Sequence, residues 1–171
     1  MDLKGNRIYI GAKKCLEEGV GNAAFLRTLI DKIPNYFQPG EVEEIWLTFP
    51  DPQLRTSRAK KRLTHPRFLR LYKQFLKAGG NIHLKTDSPQ LYRFTKMVIE
   101  MYGLNLIEDI PDISRAPQNR SELFIQTYYE SLDIAGSSQV HYLCFSLPDH
   151  PLPDLDLQLH QRLKENEKTI D

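Results

Sequence analysis

Two short apolar runs, Glu44 to Phe49 and Ile82 to Thr86, constrain this chain most. Each reads as a buried strand, and each leads into a carboxylate, Asp51 and Asp87. Between them Pro66 to Lys77 reads as a helix with proline in its first turn, closed by Gly79-Gly80. The alternation continues along the chain. Asn6 to Glu18 predicts a helix stopped at Gly19, Ala23 to Leu26 a short strand and Leu29 to Phe37 a short helix. Ser88 caps a helix running to Tyr102 with Pro89 at its first position; Leu104 to Glu108 and Val140 to Leu147 are strands, with a helical stretch from Glu122 to Leu132 between them. Strands alternating with helices predict an open α/β sheet whose ligand crevice lies at the carboxyl ends of the strands.

That edge collects carboxylates. Asp51 and Asp87 follow strands, and Asp2 precedes a helix as the acid at a strand end would. Asp is also a common loop and cap residue, so three acids on one edge carry more weight than any one of them. Positive charge is equally local. From Pro52 to Thr86 there is no Asp or Glu but ten Lys and Arg, in a chain of net charge +1. Such a stripe is the footprint of a phosphate-backbone contact and makes nucleic acid the expected partner. Arg67, Arg70, Lys73 and Lys77 read equally well as the wet face of a helix. Arg55, Arg58, Lys60, Lys61 and Arg62 lie before the helical period begins.

A chain of 171 residues that is 40% hydrophobic predicts one domain with a real core and no membrane span. The start, MDLKGNRIYIG, lacks an apolar targeting region, which makes the cytoplasm the expected location. Cys15 and Cys144 stand far apart without a CxxC or a Cys/His cluster, so buried reduced thiols are expected and no metal site. The five histidines read as structural or solvated. Pro148 to Asp171 begins with prolines and ends in charge, which predicts a loosely held extension to a domain of residues 1–147, or a short amphipathic helix around Leu155 to Leu163.

FPDP followed by a basic run ending KKRLTHPRFL, then GGNIHLKTD, then TYYE before a last strand, resembles the bacterial tRNA (guanine-N7)-methyltransferases in order and spacing from Asp2 to about Leu147. The resemblance implies a class I, Rossmann-like methyltransferase sheet, S-adenosylmethionine as methyl donor, and a guanine in the tRNA variable loop as acceptor. It implies that Asp51 is catalytic and lies against both cofactor and base, and that Asp2 holds the cofactor ribose. Arg55, Asp87, Thr127 and Glu130 then contact the substrate, and Arg58, Lys60, Lys61 and Arg62 the RNA. Gln53 stands where the family has Trp, Arg58 where it has His, and Leu29 where it places an acid for the adenine.

The family's first strand and glycine-rich loop would lie before Asp2, which makes a fragment of a longer chain with poor cofactor affinity the expectation. In the implied strand order 3-2-1-4-5-7-6, Ala23 to Leu26 would be a strand without a neighbour. Gly19 to Ala24 fits G-x-G-x-x-A, but after a helix, so it reads as a helix end and turn. The alternative function is a noncatalytic RNA-binding module.

Overall fold

A computed structural model describes residues 1–117, 119–126 and 139–168. In chain order its main elements are α1 (Gly5–Glu17), β1 (Val42–Thr48), α2 (Pro66–Tyr72), β2 (Leu76–Thr86), α3 (Pro89–Met101), β3 (Asn105–Ile110), β4 (His141–Ser146) and α4 (Asp156–Lys168). Tight 3-10 turns occupy Ile30–Asn35, Thr56–Lys61, Ile113–Arg115 and Ser121–Phe124. The sheet order is β1-β2-β4-β3. β1 and β2 run parallel, and β4 lies antiparallel between β2 and β3. This mixed α/β sheet agrees with the 4-5-7-6 side of the order expected from the sequence.

Register divides the sheet into two faces. Ile45, Ile82 and Phe145 stand abreast, as do Leu47, Leu84 and Leu143, and they form one core with Leu69 and Tyr72 of α2 and Leu91, Phe94 and Val98 of α3. Each large apolar side chain removed from water there contributes about 1.5–3 kcal/mol. α3 presents that face because Ser88 starts it cleanly: its hydroxyl accepts from the Leu91 N–H at 3.2 Å, with Pro89 next. The opposite face carries Trp46, His83 and Tyr142. The Trp46 and His83 rings stack at 4.1 Å, and His83 Nδ1 meets the Tyr142 hydroxyl at 2.8 Å.

Several expectations are corrected. α2 ends at Tyr72, and Gly79-Gly80 lie inside β2, not at a helix end. Val42 pairs with Leu76 but Glu44 with Asn81, so β2 bulges between these pairs. A Cβ on Gly80 would come within 2.7 Å of the Glu43 carbonyl. Close backbone approach selects glycine as firmly as a helix end does. Ala23 to Leu26 forms no strand; the residue after it, Arg27, makes a single parallel bridge to Asp2. The tail is docked. Leu152, Leu159 and Leu163 are buried in the main core, and Asp156 accepts from Arg70 at 2.9 Å and from the Tyr102 hydroxyl at 2.7 Å. Cys15 is only half-buried, while Cys144 is buried.

The end of α1 follows the sequence. Gly19 is left-handed (φ 69°), Val20 N–H donates to the Cys15 carbonyl at 2.8 Å and Gly19 N–H to that of Leu16 at 3.4 Å, the paired bonds of a Schellman close. Ser121–Phe124 is a 3-10 turn at the start of the stretch expected to be helical to Leu132, most of which lies outside the described residues.

Candidate active site

At the carboxyl end of β1 the chain leaves the sheet through Phe49-Pro50-Asp51-Pro52-Gln53. Phe49 N–H still donates to the Lys85 carbonyl at 2.8 Å, so the loop begins in register with the end of β2. Phe49 and Gln53 both take φ 46°, a conformation costly for side chains of their size. Asp51 sits between them, exposed, and its Oδ1 accepts the Gln53 N–H at 2.9 Å. That bond turns the backbone under the acid and fixes one carboxylate oxygen.

Asp51 and Asp2 line one cavity of about 570 Å³, whose walls include Leu29, Ile30, Ile33, Ile45 and Leu47. Asp2 accepts from Lys4 N–H at 2.9 Å and from Arg7 at 3.4 Å. Burial pushes its carboxyl up, but these donors prevail and hold it below the usual aspartate range. An ionised acid and apolar walls in one cavity suit a ligand that carries hydroxyl donors beside a flat apolar ring. Residues of β1 also line the cavity, and β1 has one strand neighbour among the described residues.

Asp87 begins the loop after β2, half-buried, one parallel strand away from Asp51. It does not line the cavity. Beside it Lys85 is buried and donates to the Ile125 carbonyl at 2.9 Å. Ile125 leads toward Thr127 and Glu130, both of which lie outside the described residues. Among the described residues no group of three His, Cys, Asp or Glu is placed to hold a metal, and no helix is long and apolar enough to cross a membrane.

The basic stretch splits into two populations. Arg55, Arg58, Lys60 and Lys61 are exposed around the Thr56–Lys61 turn, next to Asp51. The others are engaged within the fold. Arg67 pairs with Asp31, Arg70 with Asp156 and Lys77 with Glu43, while Lys73 reaches the carbonyls of Pro148, Asp149 and His150. Arg62, expected at the RNA surface, is 4% exposed and is directed inward at the carbonyls of the Asp51 loop. The reason is its neighbourhood: Thr64, His65 and Pro66 are buried with it, and the chain turns into the core at this residue. His65 is structural, as its sequence context implied. Its Nδ1 accepts from the Arg67 N–H at 3.1 Å to start α2, and burial lowers its pKa to about 4. Sequence reading missed Arg7 beside Asp2 and the inward course of Arg62. The break in the run of cations directly after Arg62, Leu63-Thr64-His65-Pro66, was the available signal for the latter.

A family model described as "Putative methyltransferase" matches residues 2–142. Among curated relatives, a tRNA (guanine-N(7)-)-methyltransferase of Porphyromonas gingivalis is 44% identical over 92% of this chain and 66% of its own length. One of Bacteroides thetaiotaomicron is 41% identical over 93% of this chain and 64% of its own. The chain thus spans about two thirds of the length of these relatives. Among solved structures, a Streptomyces coelicolor geranyl diphosphate C-methyltransferase in complex with S-adenosyl-L-homocysteine is similar at 13% identity and a TM-score of 0.48, over 84% of this chain and 62% of that one.

Proposed function

The chain belongs to the methyltransferase family whose model its residues 2–142 match, and we propose that it serves a tRNA (guanine-N7)-methyltransferase, presenting the target base and stabilising it during methyl transfer. The observation that carries this reading is the junction at Asp51. One carboxylate borders a cavity shared with Asp2 and is followed at once by the exposed cations Arg55, Arg58, Lys60 and Lys61.

Asp2 would hold the ribose of S-adenosylmethionine, with Leu29 and Ile30 beside the adenine. When bound, the cofactor supplies an electrophilic methyl group. Guanine N7 carries an in-plane lone pair, so no base need first remove a proton, and placement does most of the work. Methylation leaves positive charge on the ring. The Asp51 carboxylate, held in place by the Gln53 N–H, stabilises that charge more in the product-like geometry than before transfer. Asp87 offers two acceptors for the N1–H and N2–H donors of guanine. The exposed cations hold the phosphates of the folded RNA, which is recognised by shape and by an accessible base. Thr127 and Glu130 complete the base site in this reading, and the cytoplasm is where such a substrate is met.

The test is single-turnover transfer of labelled methyl from cofactor to tRNA. Asp51→Asn is expected to lose roughly two to three orders of magnitude, the scale of one preorganised electrostatic contact, with tRNA affinity nearly unchanged. Near-normal turnover by that variant would remove Asp51 from the chemistry. Tight tRNA binding by the unaltered protein without any methyl transfer would instead favour an RNA-binding module.

A further inference from the structure

Arg62 is the most heavily engaged cation of the basic stretch. Its Nε donates to the carbonyls of Pro52 at 3.1 Å and Gln53 at 3.3 Å, and its Nη2 to those of Gln53 at 3.1 Å and Leu54 at 3.4 Å. Behind these bonds the guanidinium lies 4.5 Å from the ring of Phe94 in α3. The side chain therefore reaches ten residues back along the sequence and fastens the loop that carries Asp51 to the main core. That loop needs fastening. Phe49 and Gln53 both occupy left-handed backbone, which persists only where the surroundings over-determine it. A planar fork with several donors in fixed directions suits three successive carbonyls; an ammonium on a flexible stem does not.

We propose that Arg62 is a positioning residue for methyl transfer: through the carbonyls of Pro52, Gln53 and Leu54 it sets where the Asp51 carboxylate stands, and it makes no contact with RNA phosphate. The proposal rests on Asp51 having the role given above. It separates two adjacent residues of like charge, since Lys61 is exposed and Arg62 is buried.

The test compares Arg62→Lys and Arg62→Met with the unaltered protein. Arg62→Lys, which keeps the charge, is expected to lower single-turnover methyl transfer about a hundredfold, the cost of a displacement near 1 Å, with tRNA affinity and its salt dependence unchanged. A salt slope reduced by about 0.9 would mean that Arg62 had neutralised a phosphate, and would overturn the proposal. In an Asp51→Asn background the same substitution is expected to add less than about a twofold loss, because residues acting through one another are not additive. A full hundredfold loss there would show that Arg62 acts elsewhere. A second readout needs no activity. Hydrogen exchange at the Gln53 amide, which donates to Asp51, is expected to quicken about tenfold or more in both variants, while the β2 amides of Ile82 and Leu84 keep their protection. Unchanged exchange at Gln53 would sink the proposal. Altered exchange in a protein that transfers no methyl group would retain the loop-positioning result and remove only the functional reading on which it rests.

Discussion

The two ends of one basic stretch behave as different materials. From Arg55 to Lys61 the cations stand in solvent around a 3-10 turn. From Arg62 to Pro66 the chain is mostly buried: Arg62 reaches loop carbonyls, Thr64 meets the Thr95 hydroxyl at 2.8 Å and His65 starts α2. Lys61 and Arg62 carry the same charge on the two sides of the boundary, but the dielectric around them differs. An exposed lysine can exchange water for phosphate at little cost, whereas a buried guanidinium must be satisfied where it stands. The first half is thus free to serve a partner, and the second serves the fold.

The largest effect that would sharpen this contrast is on stability. Arg62→Ala leaves the carbonyls of Pro52, Gln53 and Leu54 without their partner and removes the packing on Phe94. It is expected to cost about 2–4 kcal/mol in urea unfolding, against less than about 0.5 kcal/mol for Lys61→Ala. Equal costs at the two positions would erase the division.

His65 gives a smaller effect with a defined pH window. Its folded pKa, about 4, lies below the ordinary value of 6.5 because burial disfavours the charged ring. Above pH 6.5 the ring is neutral in both states and contributes nothing to pH dependence. As pH falls from 6.5 toward 4 the unfolded chain takes up the proton first, so stability declines with acidification by on the order of 2 kcal/mol. His65→Asn keeps an acceptor for the Arg67 N–H but does not titrate. Chemical denaturation at several pH values is expected to show that part of the decline removed, and an unchanged profile would place the acid sensitivity elsewhere.

The smallest effect on the fold belongs to the exposed half. Replacing Lys60 and Lys61 together by Ala is expected to leave unfolding unchanged within about 0.5 kcal/mol while reducing the salt slope of tRNA binding by up to about 0.9 for each duplex phosphate the pair had neutralised. A constant slope would reduce these residues to solvated charge.

Local rules made part of this structure legible. Ser88 followed by Pro89 announced the start of α3, Gly19 the end of α1, and the runs before Asp51 and Asp87 the two parallel strands. The ordered blocks from FPDP to GGNIHLKTD pointed to the family. Each of these signals is carried by a few neighbouring residues whose conformational preference survives in almost any context.

The rest depended on how distant parts of the chain meet. Gly79-Gly80 looks like a helix end, yet only the approach of the Glu43 carbonyl from another strand makes Gly80 a bulge residue. Pro148 onward looks loose by composition, but α4 docks because Asp156 finds Arg70 and Tyr102 while Leu159 and Leu163 find the core. Arg62 reads as one more cation beside Lys61. The sequence by itself determined the alternation from β1 to α3 and the acids that follow β1 and β2, because both follow from short-range periodicity and turn chemistry. Which cations face water and which face carbonyls was decided only by the tertiary structure, since burial belongs to the packed surroundings and not to the residue.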